Sequence, residues 1–214
     1  MNSTVTFYIT RHGETLLNHL HKAQGWVDSP LTERGIQAAS QLGLQMKNIE
    51  FSAAFSSDTS RALQTGETIL SAKRQNELQV ITDKRLREWC LGCWEAENND
   101  KFISDMMNEL QIKNDFSELN YRLPEVQEII YKSDITGMVE PFDMITDRLE
   151  SFLKEIGDTF IHLNNPSVLI VTHAFAIKTL QYLFSKEMLR KKPKIKNIDI
   201  ITIKWDGKNF SILT

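Results

Sequence analysis

Cysteine is scarce in this chain, and the two that are present do not form a metal or redox motif. Cys90 and Cys93 are the only cysteines among 214 residues. Their Cys-x-x-Cys spacing is not accompanied by a second ligand pair with zinc spacing, and it lacks the strand-to-helix setting of a redox motif. We therefore interpret them as two thiols packed in a loop.

Long hydrophobic runs and a surplus of basic residues are also missing. The longest apolar run, residues 168–171 continued through 174–177, is too short to span a bilayer, and the chain does not begin with the basic region of a signal peptide. A cytoplasmic protein without membrane contacts is therefore expected. The formal net charge of −3 gives no overall basic surface for nucleic acid, so an anionic ligand would need a local cationic pocket.

Repeats, low-complexity segments and linkers are absent, and residues 1–214 are predicted to form one α/β domain. Short apolar segments alternate with amphipathic ones, as strands and helices do in a layered sheet. Two alternating segments around Asp206-Gly207 predict a hairpin within 198–213. The expected fold is a three-layer α/β/α sandwich with a mostly parallel sheet, to which this hairpin contributes the last strands. Strands are predicted at 5–10, 53–56, 78–81 and 167–172, and helices at 14–20, 32–46, 59–70, 141–163 and 174–184.

Residues 97–140 interrupt the alternation of strands and helices. They are predicted to form two or three short helices, and an insertion between sheet elements is typical of a lid over the site or of a packing element. The segment contains four basic residues against ten acidic ones. A second segment, 186–196, is rich in lysine and is predicted as a solvated loop, an interpretation favoured over contact with a membrane or nucleic acid.

Charged and imidazole side chains follow three of the predicted strands. Arg11 and His12 leave the first strand, Arg61 lies in the first turn of the helix after the second, and His173 leaves the central strand. Acidic residues are preferred at such a helix start, so Arg61 points to an anionic partner. Parallel strands place these turns at one sheet edge, where Glu88, on the loop 85–95, can join them. Any one of these features alone is more typical of a surface loop, but together they predict an anion site.

These positions fall in motifs that resemble the signature of the histidine phosphatase superfamily, the phosphoglycerate mutase-like proteins. The motifs anchor most of the chain apart from 97–140. Two departures from the family pattern are Ala174 and Ala96, at positions where glycine is frequent; the second predicts a differently shaped loop. The motifs occur in family order at 11–15 (Arg-His-Gly-Glu-Thr), 24–32 (Gln-Gly-Trp-Val-Asp-Ser-Pro-Leu-Thr), 56–62 (Ser-Ser-Asp-Thr-Ser-Arg-Ala), 86–89 (Leu-Arg-Glu-Trp) and 171–173 (Val-Thr-His).

The resemblance implies a role for each candidate residue. His12 would be the nucleophile that becomes phosphohistidine, and Glu88 would protonate the leaving oxygen and then help water to attack. Arg11, Arg61 and His173 would hold the phosphoryl oxygens and offset the charge of the transition state. No cofactor and no metal are expected, because these cationic groups already supply the charge. The residues expected to line the substrate pocket are Asn18, Gln24 and Gly25.

Three functions fit this pattern. We favour a phosphomonoester phosphatase acting on a small phosphorylated metabolite, because Gln24 resembles the phosphatase branch and because 97–140 lacks the paired arginines of cofactor-dependent mutases. The acidic composition of that segment is also expected to repel a doubly phosphorylated acid. A phosphoglycerate mutase and a non-catalytic protein that binds phosphorylated ligands are the alternatives. The sequence leaves open the substrate and the oligomeric state, a homodimer included.

Overall fold

The computed structural model describes residues 3–113, 115–191 and 193–213, so Asn114 and Lys192 of the two segments discussed above lie outside the described residues. Its strands are β1 (Val5–Arg11), β2 (Phe51–Ser56), β3 (Val80–Thr82), β4 (Ser167–Thr172), β5 (Ile200–Trp205) and β6 (Phe210–Leu213). They form one six-stranded sheet in the order β3-β2-β4-β1-β5-β6. Strands β1 to β4 pair in parallel, whereas β5 runs antiparallel to β1 and β6 antiparallel to β5. The predicted mostly parallel sheet with a C-terminal hairpin is confirmed.

The helices cover both faces of this sheet. Helix α1 is only four residues long, and Thr15 caps its start by accepting a hydrogen bond from the Asn18 N–H at 3.2 Å. Short 3₁₀ turns lie at Lys84–Leu86, Gly92–Trp94 and Phe116–Tyr121. No helix in the described ranges is long and apolar enough to cross a bilayer. The helices are α1 (Leu16–His19), α2 (Glu33–Gln45), α3 (Ser60–Ala72), α4 (Asn99–Glu109), α5 (Leu123–Lys132), α6 (Phe142–Phe160), α7 (Ala174–Phe184) and α8 (Lys186–Lys191).

Strand β4 explains why the core has two halves. Val168 and Ile170 belong to the apolar cluster that contains α6 and α7, whereas Leu169 and Val171 belong to the cluster that contains α2 and α3. Successive strand residues point to opposite faces, so a strand covered on both sides must be apolar throughout. The three-layer architecture follows from this covering of both faces. Helices α4 and α5, from the inserted segment, pack on the α6 and α7 side.

Two local predictions are wrong. The basic segment 186–196 is not a solvated loop: it begins with α8, and Met188, Leu189 and Ile195 are buried. Its apolar residues enter the core, whereas the exposed lysines beside them keep their charged ends near solvent. The high lysine content alone does not show that these apolar residues are buried. The two thiols are not both packed either, because Cys90 is buried whereas Cys93 is exposed.

Candidate active site

The carboxyl ends of β1, β2 and β4 bring the predicted cationic residues together. Arg11 ends β1 and His12 follows it, Arg61 lies in the first turn of α3, and His173 is the residue before α7. The His12 and His173 rings are 5.1 Å apart. His12, Arg61 and His173 are at most 2% exposed. A pocket of positive and imidazole groups thus lies at the switch point of the sheet, where open α/β folds bind ligands.

His12 is held as a neutral imidazole with one unprotonated nitrogen. Its Nδ1 lies 2.8 Å from the Gly13 carbonyl oxygen. A carbonyl only accepts hydrogen bonds, so Nδ1 carries the proton and Nε2 carries the lone pair. The Arg61 Nε–H donates to that Nε2 at 3.3 Å. Burial and the charges of Arg61 and Arg11 lower the pKa of His12 well below its ordinary value, which keeps Nε2 unprotonated.

Arg61 connects the two histidines to the loop that follows α1. Its guanidinium group donates from Nη1 to the Val27 carbonyl and the Asp28 carboxylate, both at 2.9 Å, and from Nη2 to the Gly25 carbonyl at 2.6 Å. The same Nη2 contacts His173 Nδ1 at 3.2 Å. Burial lowers the pKa of Arg61, and Asp28 opposes that effect. The guanidinium group is therefore fixed in one orientation and remains charged.

Arg11 and His173 each present a buried N–H group without a protein partner. Because Arg61 donates to His173 Nδ1, the imidazole proton of His173 lies on Nε2. That Nε2, and Nε of Arg11, have no hydrogen-bond partner among the described residues. The other nitrogens of Arg11 donate to the Ile195 carbonyl at 2.9 Å and to Asn18 Oδ1 at 3.5 Å. Buried donors that lack acceptors are suited to the oxygens of a bound anion.

Glu88 is fixed at the start of α7. Its carboxylate accepts hydrogen bonds from the backbone N–H groups of Trp89 at 3.1 Å and of Phe175 and Ala176 at 2.9 Å. Burial raises the pKa of Glu88, and the three N–H groups offset part of that rise. The ring of the adjacent Trp89 stacks on Phe175 with the ring centroids 4.7 Å apart, so the surroundings of Glu88 are partly apolar. Glu88 and Arg11 line the same cavity.

The three residues predicted to bind substrate differ in what they contact. Asn18 and Gln24 line the cavity. The Gln24 amide is held by Thr15 Oγ1 at 2.7 Å and donates to Ser29 Oγ at 3.1 Å. Gly25 contributes its carbonyl group to Arg61 and is not among the cavity-lining residues, so its effect on the pocket is indirect.

A cavity of about 910 Å³ extends from Arg11 and Glu88 under the inserted segment. Residues of α4, α5 and the 3₁₀ turn Phe116–Tyr121 form much of its wall. Of the ten acidic residues between 97 and 140, Asp100 alone lines it. The prediction that this segment repels a second anionic group assumed that its acidic side chains face the pocket. That assumption is wrong, because most of them lie outside the cavity wall.

Sequence reasoning missed two residues that shape the site. Asn197 donates from Nδ2 to the His12 carbonyl and to Asn18 Oδ1, both at 3.0 Å. It lies just after the basic segment, whose composition gave no signal for it. Lys178 faces the cavity from α7. A signal for Lys178 did exist, because it follows Phe175 and Ala174 by three and four residues and so shares their helix face.

Ala96 keeps a backbone conformation that favours glycine. Its φ of 60° lies in the left-handed region, where a side chain is disfavoured. The predicted change of loop shape is therefore not seen in the local backbone. Glu95 beside it accepts hydrogen bonds from four backbone N–H groups, those of Gly25, Trp26, Val27 and Leu91.

Comparison with known proteins identifies the class. Residues 7–214 match the model of the Histidine phosphatase superfamily (branch 1), and the chain belongs to this family. It is similar to Phosphoglycerate mutase-like protein 4 of Arabidopsis thaliana, with 30% identity over 210 residues, 95% of this chain and 81% of that protein.

Two solved structures share the fold. A phosphoglycerate mutase from Bacillus anthracis superposes with a TM-score of 0.88 at 30% identity, covering 100% of this chain and 93% of that one. A phosphoserine phosphatase from Entamoeba histolytica, in complex with 3-phosphoglyceric acid, superposes with a TM-score of 0.70 at 26% identity, covering 98% and 95%. The fold is thus that of phosphoglycerate mutase-like proteins, and its relatives include both mutases and phosphatases.

Proposed function

We propose that this protein is a phosphomonoester phosphatase that acts on a small phosphorylated metabolite through a phosphohistidine intermediate. The observation that carries the proposal is the His12 imidazole, whose unprotonated Nε2 lies 3.3 Å from Arg61 Nε while its Nδ1 is held by Gly13. A fixed lone pair surrounded by cationic donors is the arrangement that nucleophilic attack on a phosphate ester requires.

In the first step, His12 Nε2 attacks phosphorus. The P–N bond forms, the ester P–O bond breaks, and the leaving oxygen takes the proton of Glu88. The free N–H groups of Arg11 and His173 bind the phosphoryl oxygens. Arg61, whose N–H groups are held by protein acceptors, contributes its positive charge next to the phosphoryl group. The transition state gains most from these donors, because they are fixed before the substrate arrives.

In the second step, water removes the phosphoryl group from His12. The Glu88 carboxylate takes a proton from the water, whose oxygen attacks phosphorus as the P–N bond breaks. Orthophosphate leaves, and Glu88 is again protonated. No metal is proposed, since the positive charge at phosphorus comes from side chains; within the described residues no group of three or more His, Cys, Asp or Glu side chains could hold a metal ion.

The central test is a variant of His12 combined with a trapping experiment. His12→Ala should abolish turnover without unfolding the protein, because the imidazole forms the covalent bond. Rapid mixing of the unmodified protein with a ³²P-labelled ester should place an acid-labile label on His12. His162→Ala is the control: it removes an exposed histidine just after the end of α6 and should retain full activity. Label on another residue, or substantial turnover by His12→Ala, would contradict the mechanism.

Product analysis separates the alternatives. A phosphatase should convert 3-phosphoglycerate, if accepted, into orthophosphate, whereas a mutase should produce 2-phosphoglycerate. A protein that only binds phosphorylated ligands should turn over neither 3-phosphoglycerate nor a chromogenic aryl phosphate. Gln24 and the absence of paired arginines in 97–140 favour the phosphatase. A panel of phosphorylated metabolites then identifies the preferred ester.

A further inference from the structure

Lys178 is a cation of the cavity wall without a counter-ion. It lies on α7, and its Nζ is 5.5 Å from the centroid of the Phe175 ring. Among the described residues it makes no hydrogen bond or ion pair, and it is partly buried. A partly buried ammonium group loses hydration, and a ring face compensates only part of that loss. An anion bound in the cavity would supply the rest.

The whole cavity wall carries excess positive charge although the protein is acidic overall. Its cations are Arg11, Lys22, Lys113, Lys178 and Lys194, against the carboxylates of Glu88 and Asp100. Glu88 is already used by three backbone N–H groups, so it does not neutralise Lys178 by a direct contact. The cavity is therefore a local cationic pocket of the kind that an anionic substrate requires.

The electrostatic state of Lys178 agrees with this geometry. Burial, together with the charges of Arg11 and Lys194, lowers the pKa of Lys178 to about 8, while Glu88 acts in the opposite direction. The ammonium group is thus still charged at neutral pH, but its charged form is less stable than that of an exposed lysine. A bound carboxylate or phosphate would restore its ordinary preference for the charged form.

We propose that Lys178, assisted by Lys194, binds a second anionic group of the substrate, so that the preferred substrate class is a phosphate monoester with a further carboxylate or phosphate. This inference rests on the proposed phosphatase function. Arg11 and the histidines hold the scissile phosphate, and Lys178 binds the other end of the same molecule. Because different residues bind the two anionic groups, Lys178 determines specificity for the second group.

The size and lining of the cavity indicate what joins the two anions. A volume of about 910 Å³ is at the upper end for small-molecule sites and far exceeds what a three-carbon acid fills. Its apolar wall includes Phe102, Met106, Phe116 and Leu119. A carbon body longer than three atoms would bury apolar surface there while its ends reach Arg11 and Lys178.

A series of ω-carboxyalkyl phosphates, with three to eight carbons, tests this subsite against the methyl ester of each member. The methyl esters keep the carbon chain of the acids and add one methyl group, but they lack the second charge. For at least one chain length, kcat/KM of the acid should exceed that of the ester by about 10-fold or more, the range of a charge-assisted hydrogen bond. Equal values for acid and ester at every length would overturn the proposal.

Two variants of Lys178 and one matched control connect the preference to this residue. Lys178→Met keeps the chain length and should reduce the acid-to-ester ratio to about 1, while Lys178→Arg should preserve it. Lys186 on α8 also lies over an aromatic ring, 4.5 Å from Tyr182, but is not part of the cavity wall. Lys186→Met should leave the ratio unchanged. A ratio that survives in a folded Lys178→Met protein would also overturn the proposal.

Binding measurements distinguish failure of this subsite from failure of the proposed reaction. Calorimetry with the matching ω-carboxyalkyl phosphonates and their carboxyl methyl esters needs no turnover. Tighter binding of the acid that is lost in Lys178→Met supports the subsite even if no phosphate ester is hydrolysed. If the phosphate esters are hydrolysed equally well with a free and with a methylated carboxyl group, the subsite is refuted and the phosphatase proposal stays intact.

Discussion

Glu88 is a single carboxyl group on which burial and hydrogen bonding act in opposite directions. Burial favours the neutral acid, whereas the N–H groups of Trp89, Phe175 and Ala176 and the charge of Arg11 favour the carboxylate. Burial prevails, and the pKa is raised. A carboxyl group whose protonated form is favoured by burial, and whose ionised form is held by three N–H groups, suits both steps of the proposed reaction.

Glu88→Gln should slow alkyl phosphates far more than aryl phosphates. An alkoxide leaving group needs a proton, whereas an acidic phenol does not, so the loss on alkyl esters should be about 10² or more. Because Glu88 must be protonated for the first step and its pKa is raised, kcat/KM for alkyl esters should fall as pH increases through that pKa. The pH–rate profiles of both substrate types measure this. A fall of the same size on both would remove Glu88 from the role of acid.

Some residues of the site could be predicted from the sequence, and others could not, for physical reasons. Arg11, His12 and His173 follow apolar strands, whose shared sheet edge is dictated by parallel pairing. Asn197 reaches His12 only through the turn before β5, a tertiary contact 185 residues away in sequence that no local pattern encodes. The free donors of Arg11 and His173 likewise depend on which neighbours the fold supplies.

At the level of elements, the loop that follows α1 is joined to the loop that carries Glu88 through one side chain. Glu95 accepts from the N–H groups of Gly25 at 3.0 Å, Trp26 at 2.7 Å, Val27 at 3.1 Å and Leu91 at 3.0 Å. The carbonyl groups of Gly25 and Val27 in turn hold Arg61. Glu95 lies on the same loop as Glu88, but its oxygens are occupied by backbone N–H groups. Glu95 is better described as a positioning residue.

Glu95→Gln should therefore loosen the loop that holds the Arg61 guanidinium group, and it should not affect proton transfer directly. A glutamine amide presents donors to a nest of N–H groups, so two of the four hydrogen bonds should be lost, at a cost of about 1–3 kcal/mol. For a chain of this length that lowers Tm by roughly 2–12 °C. The expected kinetic result is a fall in kcat of the same size on alkyl and aryl phosphates, measured at saturating substrate.

The control for this variant lies two residues further along. Glu97 also accepts from a backbone N–H, that of Asn98 at 2.7 Å, but its side chain makes no hydrogen bond to the loop 24–28 within the described part of the chain. Glu97→Gln should change neither kcat nor the alkyl-to-aryl ratio. A loss confined to alkyl esters in Glu95→Gln would instead make Glu95 a candidate for the general acid.

Whole elements could be predicted where the sequence pattern allowed only one type of secondary structure. β4 and α7 have the predicted bounds, because an apolar run followed by a helix-forming run leaves little choice of period. α8 was missed because its lysines dominate the composition while Met188 and Leu189 are buried. Whether lysines surround a buried apolar pair or a solvated turn depends on the neighbouring elements, which local periodicity does not describe.

At the scale of the molecule, positive and negative charges are distributed unevenly. The net charge is −3, yet the groups at the sheet edge and in the cavity wall are mainly cationic. The carboxylates near the site are neutralised: Asp28 binds Arg61, and the hydrogen bonds from Ser60 and Arg61 outweigh burial and lower the pKa of Asp28. The sheet edge where the proposed phosphate would bind is therefore cationic although the protein as a whole is acidic.

Orthophosphate should consequently stabilise the folded protein, and a chelator should not affect it. A ligand that binds only the folded state at 100 times its Kd adds about 2.7 kcal/mol, which for a chain of this size raises Tm by roughly 5–10 °C. Because side chains supply the charge, EDTA should change neither Tm nor kcat/KM. His12→Ala should keep part of the phosphate-induced shift, since Arg11 and His173 still offer N–H groups. Thermal melts with and without phosphate and EDTA measure all three. Activity that disappears with EDTA and returns on addition of a divalent cation would show that a metal ion takes part.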